Sequence, residues 1–394
     1  MLHRAFVLTL PSVFHLEAGA GDALRSHILE KQPQVALFGL PPVPVEPRGR
    51  MARVPRSCVR GAPLRGMKSP MIGHGVPPEG RFDVILERCL GRQVTAVREL
   101  AAPAFTSYAA RRLMLDLADG RTLDVFLKDF GVSPHAADLA LWRGARERYV
   151  YEAILAGRGL GTPEFYGSVW DAPSGHHWLL LEFVRGRTLR QSPIEDWIAA
   201  ASWLGRLHQT IAGQKPEFAQ PGILVNYDDA YFRDMAERAL QAVGSRSRSL
   251  HQRLATALDG YGAMIERFRA SQPTLVHGSY RPKNILVDTS ATPARICPVD
   301  WELAAIGPPL HDLACLANEV DHRPTIERFC QAYAEAAGTF GLAVPRAGEM
   351  LVELDRLRLH RALRSLARSA EWAYPDDAVT TLVVKAEAIR RGLW

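Results

Sequence analysis

The sequence predicts an α+β protein of two lobes, a small one built on an antiparallel sheet and a larger one made mainly of helices. Residues 80–185 contain short apolar runs separated by turn signals, which are typical of strands. Most segments in residues 186–394 instead carry the apolar period of helices. The length of 394 residues exceeds one typical domain and is sufficient for both lobes.

The elements of the first lobe follow from its apolar runs. Val94–Glu99 is a candidate strand. Arg111–Leu117 and Thr122–Phe130 flank an Asp-Gly pair, which is a strong hairpin signal. Apolar periodicity predicts a helix over Ala136–Ala156, and the apolar run Trp178–Val184 predicts a buried strand.

The second lobe begins with a helix-start signal. Ser192-Pro193-Ile194-Glu195 has the pattern of a capping box with proline at the first helical position. Residues 228–270 and 325–372 are helical by their period. Thr274–Leu316, between them, is rich in strand and loop signals.

Composition excludes several classes of protein. No run of about 18 uncharged apolar residues is present, so no membrane-spanning helix is expected. The five cysteines are scattered and form no C-x-x-C pair, which argues against a disulfide framework or a zinc site. They indicate a reducing compartment and therefore a cytoplasmic location.

The first 75 residues are predicted to be a flexible, basic leader that is rich in proline and arginine. Residues 1–70 hold ten basic and four acidic residues, which accounts for the whole net charge of +6. No nucleic-acid partner is therefore expected for the main body. Three alternatives remain open: a secretory signal, translation that starts at Met51, Met67 or Met71, and docking of the leader to acidic membranes or RNA.

Two motifs carry most of the functional information. Residues 275–287 read LVHGSYRPKNILV, and residues 299–302 read VDWE, followed by Gly307-Pro308 and His311-Asp312. In this order and spacing they resemble the aminoglycoside phosphotransferase-like family, whose catalytic loop reads H-G-D-x-x-x-x-N. The resemblance covers roughly residues 90–390. It implies the two-lobed protein-kinase-like fold and an ATP- and Mg²⁺-dependent transfer of phosphate to a small molecule.

Asn284 and Asp300 are the candidate metal ligands, and Asp300 is also a candidate catalytic residue. Each follows a short apolar run, where a side chain can project into a cleft. An amide oxygen and a carboxylate suit Mg²⁺, which takes few protein oxygens and completes its shell with phosphates and water. A solvated Asp in a turn and an Asn that holds its own loop are the alternatives.

The resemblance also implies a nucleotide site in the first lobe. Lys128 would hold the α- and β-phosphates. Glu147 would be its partner, with Glu152 as the competitor. The backbone of Glu182, Phe183 and Val184 would contact the base as the hinge between the lobes. The residues AAPAFTS at 101–107 lack the glycines of a phosphate loop, which leaves Thr106 and Ser107 as weak candidates for phosphate contacts.

The catalytic loop departs from the family pattern at one position. Ser279 stands where the family carries a catalytic Asp, and a serine hydroxyl is no base near neutral pH without a base of its own. Phosphoryl transfer depends mainly on positioning and charge stabilisation, so Ser279 predicts slow chemistry rather than none. Arg281 is a candidate clamp for the γ-phosphate or a surface arginine. His277 is a candidate catalytic residue but more often an organiser of the loop, and Asp312 is expected to brace the loop backbone.

The main prediction is therefore a small-molecule phosphotransferase, and the alternative is a pseudokinase that binds nucleotide without turnover. Only eleven residues separate Asp300 from Asp312, which leaves no room for a regulatory activation loop. The acceptor, the choice of ATP or GTP and the oligomeric state are left open. Glu319 and Asp321 are either contacts for a cationic acceptor or a solvated acidic turn.

Overall fold

The first lobe is built on a sheet whose strand residues alternate between more buried and more exposed positions. The computed structural model describes residues 82–101, 108–131, 137–171, 176–212, 222–320, 322–338 and 347–392. In this part of the chain, five strands form one antiparallel sheet in the order β1-β2-β3-β5-β4. The strands are β1 (Val94–Leu100), β2 (Ala109–Leu117), β3 (Thr122–Asp129), β4 (Phe165–Asp171) and β5 (His176–Glu182).

The two faces of this sheet pack against different helices, because successive strand residues point to opposite sides. Helix α1 (Phe82–Leu90) shares a small core with one face, which includes Leu113, Leu115 and Leu127. Leu179 and Leu181 of β5 lie on the other face and join the main core of the protein.

Helix α2 (Ala137–Tyr149) lies against β5 and continues into a π-helical turn, Val150–Leu155. Gly144 permits a close approach to the sheet, because a Cβ there would lie 2.6 Å from the ring of Phe130. The predicted hairpin is confirmed, since Ala110 pairs with Lys128 and Asp116 with Thr122.

The second lobe is mainly helical. Its helices are α3 (Ile194–Ile211), α4 (Asp229–Gly244), α5 (Arg248–Ala257), α6 (Tyr261–Ala270), α7 (His311–Ala317), α8 (Arg323–Ala337), α9 (Ala347–Ala367) and α10 (Asp376–Arg390). No helix in the described ranges is long and apolar enough to cross a membrane.

Two small three-stranded sheets flank the two loops that carry the sequence motifs. One has the order β10-β9-β6, with β6 at Arg187–Thr188, β9 at Ile285–Asp288 and β10 at Arg295–Pro298. The other has the order β7-β11-β8, with β7 at Val225–Asn226, β8 at Thr274–Val276 and β11 at Ala305–Gly307. We call residues 277–284, between β8 and β9, the catalytic loop, and residues 299–304, between β10 and β11, the metal loop.

The α+β, two-lobed fold class is confirmed, but one local prediction is wrong. Ser192 does not cap helix α3, whose N-cap is Pro193 and carries no side-chain cap bond. The Ser192 hydroxyl instead donates to the carbonyl of Thr188 and accepts from Arg187. The capping-box pattern assigned Ser192 to the start of the helix, but its side chain instead stabilises a tight turn just before the helix. The predicted leader, residues 1–75, lies outside the described residues.

Candidate active site

A buried lysine lies at the centre of the candidate site. Lys128 is on β3, and its neighbour Leu127 points to the opposite face of the sheet, into the small core. Lys128 Nζ lies 2.7 Å from Glu147 Oε2 on helix α2, and both side chains are almost completely buried. Glu152 is not the partner, because it forms an exposed pair with Arg148.

Asp300 of the metal loop provides the second contact of Lys128. Its Oδ1 lies 2.6 Å from Lys128 Nζ, while about a third of the Asp300 side chain remains exposed. Burial disfavours the charge of Lys128, but Asp300 and Glu147 outweigh it and raise the pKa of the lysine. Burial likewise opposes ionisation of Asp300, yet the nearby lysine lowers its pKa.

The backbone at Asp300 is strained. Its φ of 70° and ψ of 58° lie in the left-handed region, which costs a non-glycine residue about 1–2 kcal/mol. Such a conformation persists where surrounding contacts fix it, and it is concentrated at functional sites. Trp301, which follows, is fully buried and contacts Trp203 of helix α3.

The catalytic loop is braced from behind. Asp312 on α7 accepts backbone hydrogen bonds from His277 and Gly278. Burial would raise the pKa of Asp312, but a hydrogen bond from His311 and nearby positive charge lower it, so the carboxylate is an ionised acceptor. Arg364 on α9 donates to the carbonyl oxygen of Gly278 at 2.9 Å. These three hydrogen bonds therefore fix both N–H groups and a carbonyl group of the loop backbone.

His277 organises this loop. Its Nε2 lies 2.9 Å from the carbonyl oxygen of Val299, which can only accept, so this nitrogen carries the proton. Its Nδ1 accepts from the N–H of Ser279 at 3.3 Å. Burial lowers the pKa of His277, in agreement with a neutral ring. Both ring nitrogens are engaged with backbone, so the geometry favours an organising role over the catalytic role also considered for His277.

Ser279 and Asn284 lie side by side. Asn284 Nδ2 donates to the Ser279 carbonyl oxygen at 3.0 Å and lies 3.3 Å from Ser279 Oγ. These bonds fix the orientation of the amide, and its Oδ1 accepts no hydrogen bond within the described residues. Asn284 Oδ1 and the second oxygen of Asp300 are therefore an amide oxygen and a carboxylate oxygen without donors among the described residues, a ligand pair that suits Mg²⁺.

Arg281 is turned toward the acidic turn of the second lobe. Its Nε and Nη2 each lie 3.3 Å from Glu319 Oε1. Two nitrogens of the Arg281 guanidinium are thereby engaged with one oxygen of Glu319. Asp321, the other acidic candidate of this turn, lies outside the described residues.

The predicted hinge offers fewer free backbone groups than its length suggests. The N–H groups of Glu182 and Phe183 donate to the carbonyls of Glu164 and Asp124, each at 2.8 Å. Among the described residues, the N–H of Val184 has no partner, which makes it the remaining donor of this segment. Thr106 and Ser107 lie outside the described residues.

Sequence reasoning missed the arginines that surround this site. Arg364 supports the catalytic loop, while Arg143 and Arg146 of helix α2 contact Glu302 of the metal loop. These three contacts join residues that are 86 to 159 positions apart in the chain, and no local pattern marks such pairs. The only available signal was the unusual density of arginine on a helix that packs against the sheet.

The comparisons with known proteins agree with this arrangement. Residues 117–347, more than half of the chain, match the family model described as the phosphotransferase enzyme family. A search of curated protein sequences found no match.

Several solved structures have a similar fold. The GDP complex of a variant of aminoglycoside 2'-phosphotransferase-IIIa is 13% identical, with a TM-score of 0.53 over 76% of this chain and 93% of that chain. A variant of aminoglycoside phosphotransferase APH(4)-Ia with ADP and hygromycin B is 18% identical, with a TM-score of 0.50 over 79% and 98%. The GDP and kanamycin complex of APH(2")-IIIa is 12% identical, with a TM-score of 0.53 over 79% and 98%.

At these identities the structures establish the fold alone, whereas the family model covers both the lysine strand and the two loops of the site. The resemblance noted from the motifs is confirmed. The chain belongs to the phosphotransferase enzyme family.

Proposed function

We propose that this protein is an ATP- and Mg²⁺-dependent phosphotransferase that moves the γ-phosphoryl group to a hydroxyl or amine of a small molecule. The observation that carries the proposal is the contact of one buried lysine with two carboxylates from different parts of the chain. Lys128 lies 2.7 Å from Glu147 and 2.6 Å from Asp300, and the amide oxygen of Asn284, in the adjacent loop, has no donor within the described part of the chain.

Each residue has a role that follows from its chemistry. Lys128, held by Glu147, contributes a fixed positive charge for the α- and β-phosphates. Val184 offers its N–H to the base. Asn284 and Asp300 would hold Mg²⁺, which neutralises the charge of the phosphates when it is bound. Lys128 contacts only Oδ1 of Asp300, which leaves the second carboxylate oxygen for the metal.

The transfer itself is predicted to be slow. The acceptor oxygen or nitrogen bonds to the γ-phosphorus as the bond to the bridging oxygen breaks. The proton of the acceptor leaves to solvent or to the transferred phosphate, because Ser279 is not a base near neutral pH. Positioned proton transfer typically accelerates a reaction roughly 10²–10⁴-fold, so the absence of a base should reduce the rate by no more than this factor. Stabilisation of the phosphate charge remains available.

The acceptor is a small molecule that binds beside the catalytic loop. A cationic acceptor would not find a free carboxylate in Glu319, because Arg281 already pairs with it. Hygromycin B and kanamycin are ligands of the similar structures and do not define the acceptor here. The four described cysteines are unpaired, which supports a reducing, cytoplasmic location as part of this proposal.

The proposal is tested by ³¹P NMR with MgATP or MgGTP and a panel of sugars, amino sugars and amino alcohols. We expect a slowly growing phosphate-ester or phosphoramidate resonance that depends on one acceptor class. Asp300→Ala is the control and should abolish it. Nucleotide turnover that persists in Asp300→Ala would contradict the assignment of the site.

Ser279 favours a second candidate function, a nucleotide-binding protein without turnover. The two are separated by Ser279→Asp. If nucleotide binds to the natural protein but product forms only in the variant, the natural protein is a pseudokinase. If the natural protein already turns over and the variant is slower, Ser279 belongs to an adapted mechanism.

A further inference from the structure

Helix α2 is tied to the metal loop by an arginine that bonds two backbone carbonyls. Arg146 Nη1 donates to the carbonyl oxygen of Glu302 at 2.7 Å. Its Nε donates to the carbonyl oxygen of Ile223 at 2.8 Å. One guanidinium therefore joins the helix of the first lobe, the metal loop and the segment that precedes β7.

A second arginine, one turn earlier on α2, holds the side chain of the same residue. Arg143 Nη1 lies 3.6 Å from Glu302 Oε1, and the exposed fractions of the two side chains are 8% and 10%. Glu302 is therefore held through its backbone by Arg146 and through its carboxylate by Arg143. We call these contacts the α2 clamp.

The clamp acts two residues after the strained position of the metal loop. Asp300 is in the left-handed region, a conformation that persists at a non-glycine residue where the surrounding contacts fix it. Lys128 fixes its side chain, and the clamp fixes the chain just beyond it. Arg146 directly precedes Glu147, so the residue that orients Lys128 and the residue that anchors the metal loop are neighbours on one helix.

Burial makes this arrangement costly, which argues against an incidental contact. Arg146 is half-buried, and this burial lowers its pKa, because partial removal of a charged guanidinium from water is disfavoured. The planar fork of arginine suits two carbonyls at once, and a lysine could not reproduce that geometry. Arg148, on the same helix, instead contacts Glu152 at 3.6 Å and lies over the ring of Trp170, and neither residue belongs to the metal loop.

We propose that Arg143 and Arg146 are positioning residues, which lock the metal loop to helix α2 so that Glu147 and Asp300 are presented to the nucleotide as one rigid unit. The inference rests on the proposed function, because it assigns these residues to the metal and nucleotide site. It also explains how the site is held in order in a chain that has no room for an activation loop.

Amide hydrogen exchange of the nucleotide-free full-length protein tests the clamp without any activity. Arg146→Lys should raise exchange of the peptide covering residues 299–305 about tenfold, while peptides of β2 change by less than about twofold. Arg148→Lys, the same change on the same helix, should leave residues 299–305 unaffected. Equal exchange in Arg146→Lys and Arg148→Lys would overturn the inference.

A second readout separates positioning from general stability. Calorimetry with ADP should give a dissociation constant in the presence of Mg²⁺ that rises about tenfold in Arg146→Lys, and a metal-free constant within about twofold of wild type. Equal loss with and without metal would contradict the positioning role. If Arg146→Lys fails to fold, Arg143→Met is the second variant, because it keeps both bonds of Arg146 to backbone carbonyls. It should raise amide exchange of residues 299–305 about threefold. Unchanged exchange would overturn the inference.

The two proposals fail in different ways. A wild-type protein that binds no nucleotide at millimolar concentration refutes the proposed function, and the exchange experiment still decides whether the clamp exists. A wild-type protein that binds MgADP, with unchanged exchange and binding in the clamp variants, refutes the clamp alone.

Discussion

Replacement of Lys128 by Met should be among the most destabilising single changes in the site, because it leaves a buried carboxylate without its partner. The Glu147 side chain is only 2% exposed, so it cannot recover solvation by turning to water. Asp300, which is 35% exposed, can do so and contributes little to the loss. Removal of one partner of a buried pair costs about 3–5 kcal/mol, and we expect a loss of this size in the free energy of unfolding at pH 8.

The loss should depend on pH with a definite sign. Burial raises the pKa of Glu147, and the removal of Lys128 raises it further. A carboxyl group whose pKa is raised in the folded state loses stability as the pH rises above its unfolded value of about 4.3. The defect of Lys128→Met relative to wild type should therefore shrink by up to about 1.4 kcal/mol per pH unit as the pH is lowered from 8 toward the wild-type pKa of Glu147, about 7, and should level off below it.

Urea unfolding followed by tryptophan fluorescence measures both quantities. The double variant Lys128→Met, Glu147→Leu is the matched control, because it removes the buried charge together with its partner. Replacement of a whole buried pair by apolar groups is often nearly neutral, so the double variant should lose less than about 2 kcal/mol. A single variant that costs under about 1 kcal/mol, or a double variant as unstable as the single one, would refute this reasoning.

Two further changes test the catalytic loop. In the Ser279→Asp variant, the new carboxylate should accept the hydrogen bond from Asn284 and restore a base. The rate of ADP formation in a coupled assay should therefore rise by roughly 10²–10⁴-fold. An unchanged rate would show that proton transfer is not limiting. Gly278→Ala should cost about 2 kcal/mol or more, because φ is 75° and a Cβ there would collide with the carbonyl oxygen of Leu303. Gly262→Ala is the control, because a Cβ there meets open space, and it should change stability by less than about 1 kcal/mol. Equal effects of the two substitutions in thermal unfolding would contradict the close packing of the loop.

The sequence predicted the parts of the fold that local chemistry determines. The Asp-Gly turn defines the β2-β3 hairpin, and the alternation of β3 carries Lys128 to the face opposite the small core. The motif around Asn284 and Asp300 encodes two short strands with their loops, so the residues of the site could be named in advance. The contact between Lys128 and Glu147 could be proposed from the resemblance and was found at 2.7 Å.

Other elements escaped because long-range packing overrides their local pattern. Helix α1 is only nine residues long, too short for its period to stand out in the sequence, and a bulge at Gly167 interrupts the alternation of strand β4. Helix α10 contains the run Val379–Val384, which is rich in β-branched residues and has low intrinsic helix preference. It is helical because its apolar side packs on α5 and α9. The bonds of Arg146 to carbonyls 77 and 156 residues away have no local counterpart at all.

The structure reduces the number of backbone N–H groups that the predicted hinge can offer to the base. Three consecutive residues were expected to offer backbone groups to the base, but Glu182 and Phe183 already donate to other strands and loops. Whether Val184 performs this role remains a prediction. It depends on the nucleotide site as a whole rather than on any single residue.

The most direct test of the account is calorimetric titration of the full-length protein with ATP, with and without Mg²⁺, beside the Asp300→Asn variant. We predict that Mg²⁺ strengthens ATP binding to the natural protein at least tenfold, because Asn284 and Asp300 would share the metal with the phosphates. Asp300→Asn should bind ATP with little dependence on Mg²⁺. Binding that is absent at millimolar MgATP, or that is equally metal-dependent in Asp300→Asn, would contradict the assignment of this cleft as a nucleotide and metal site.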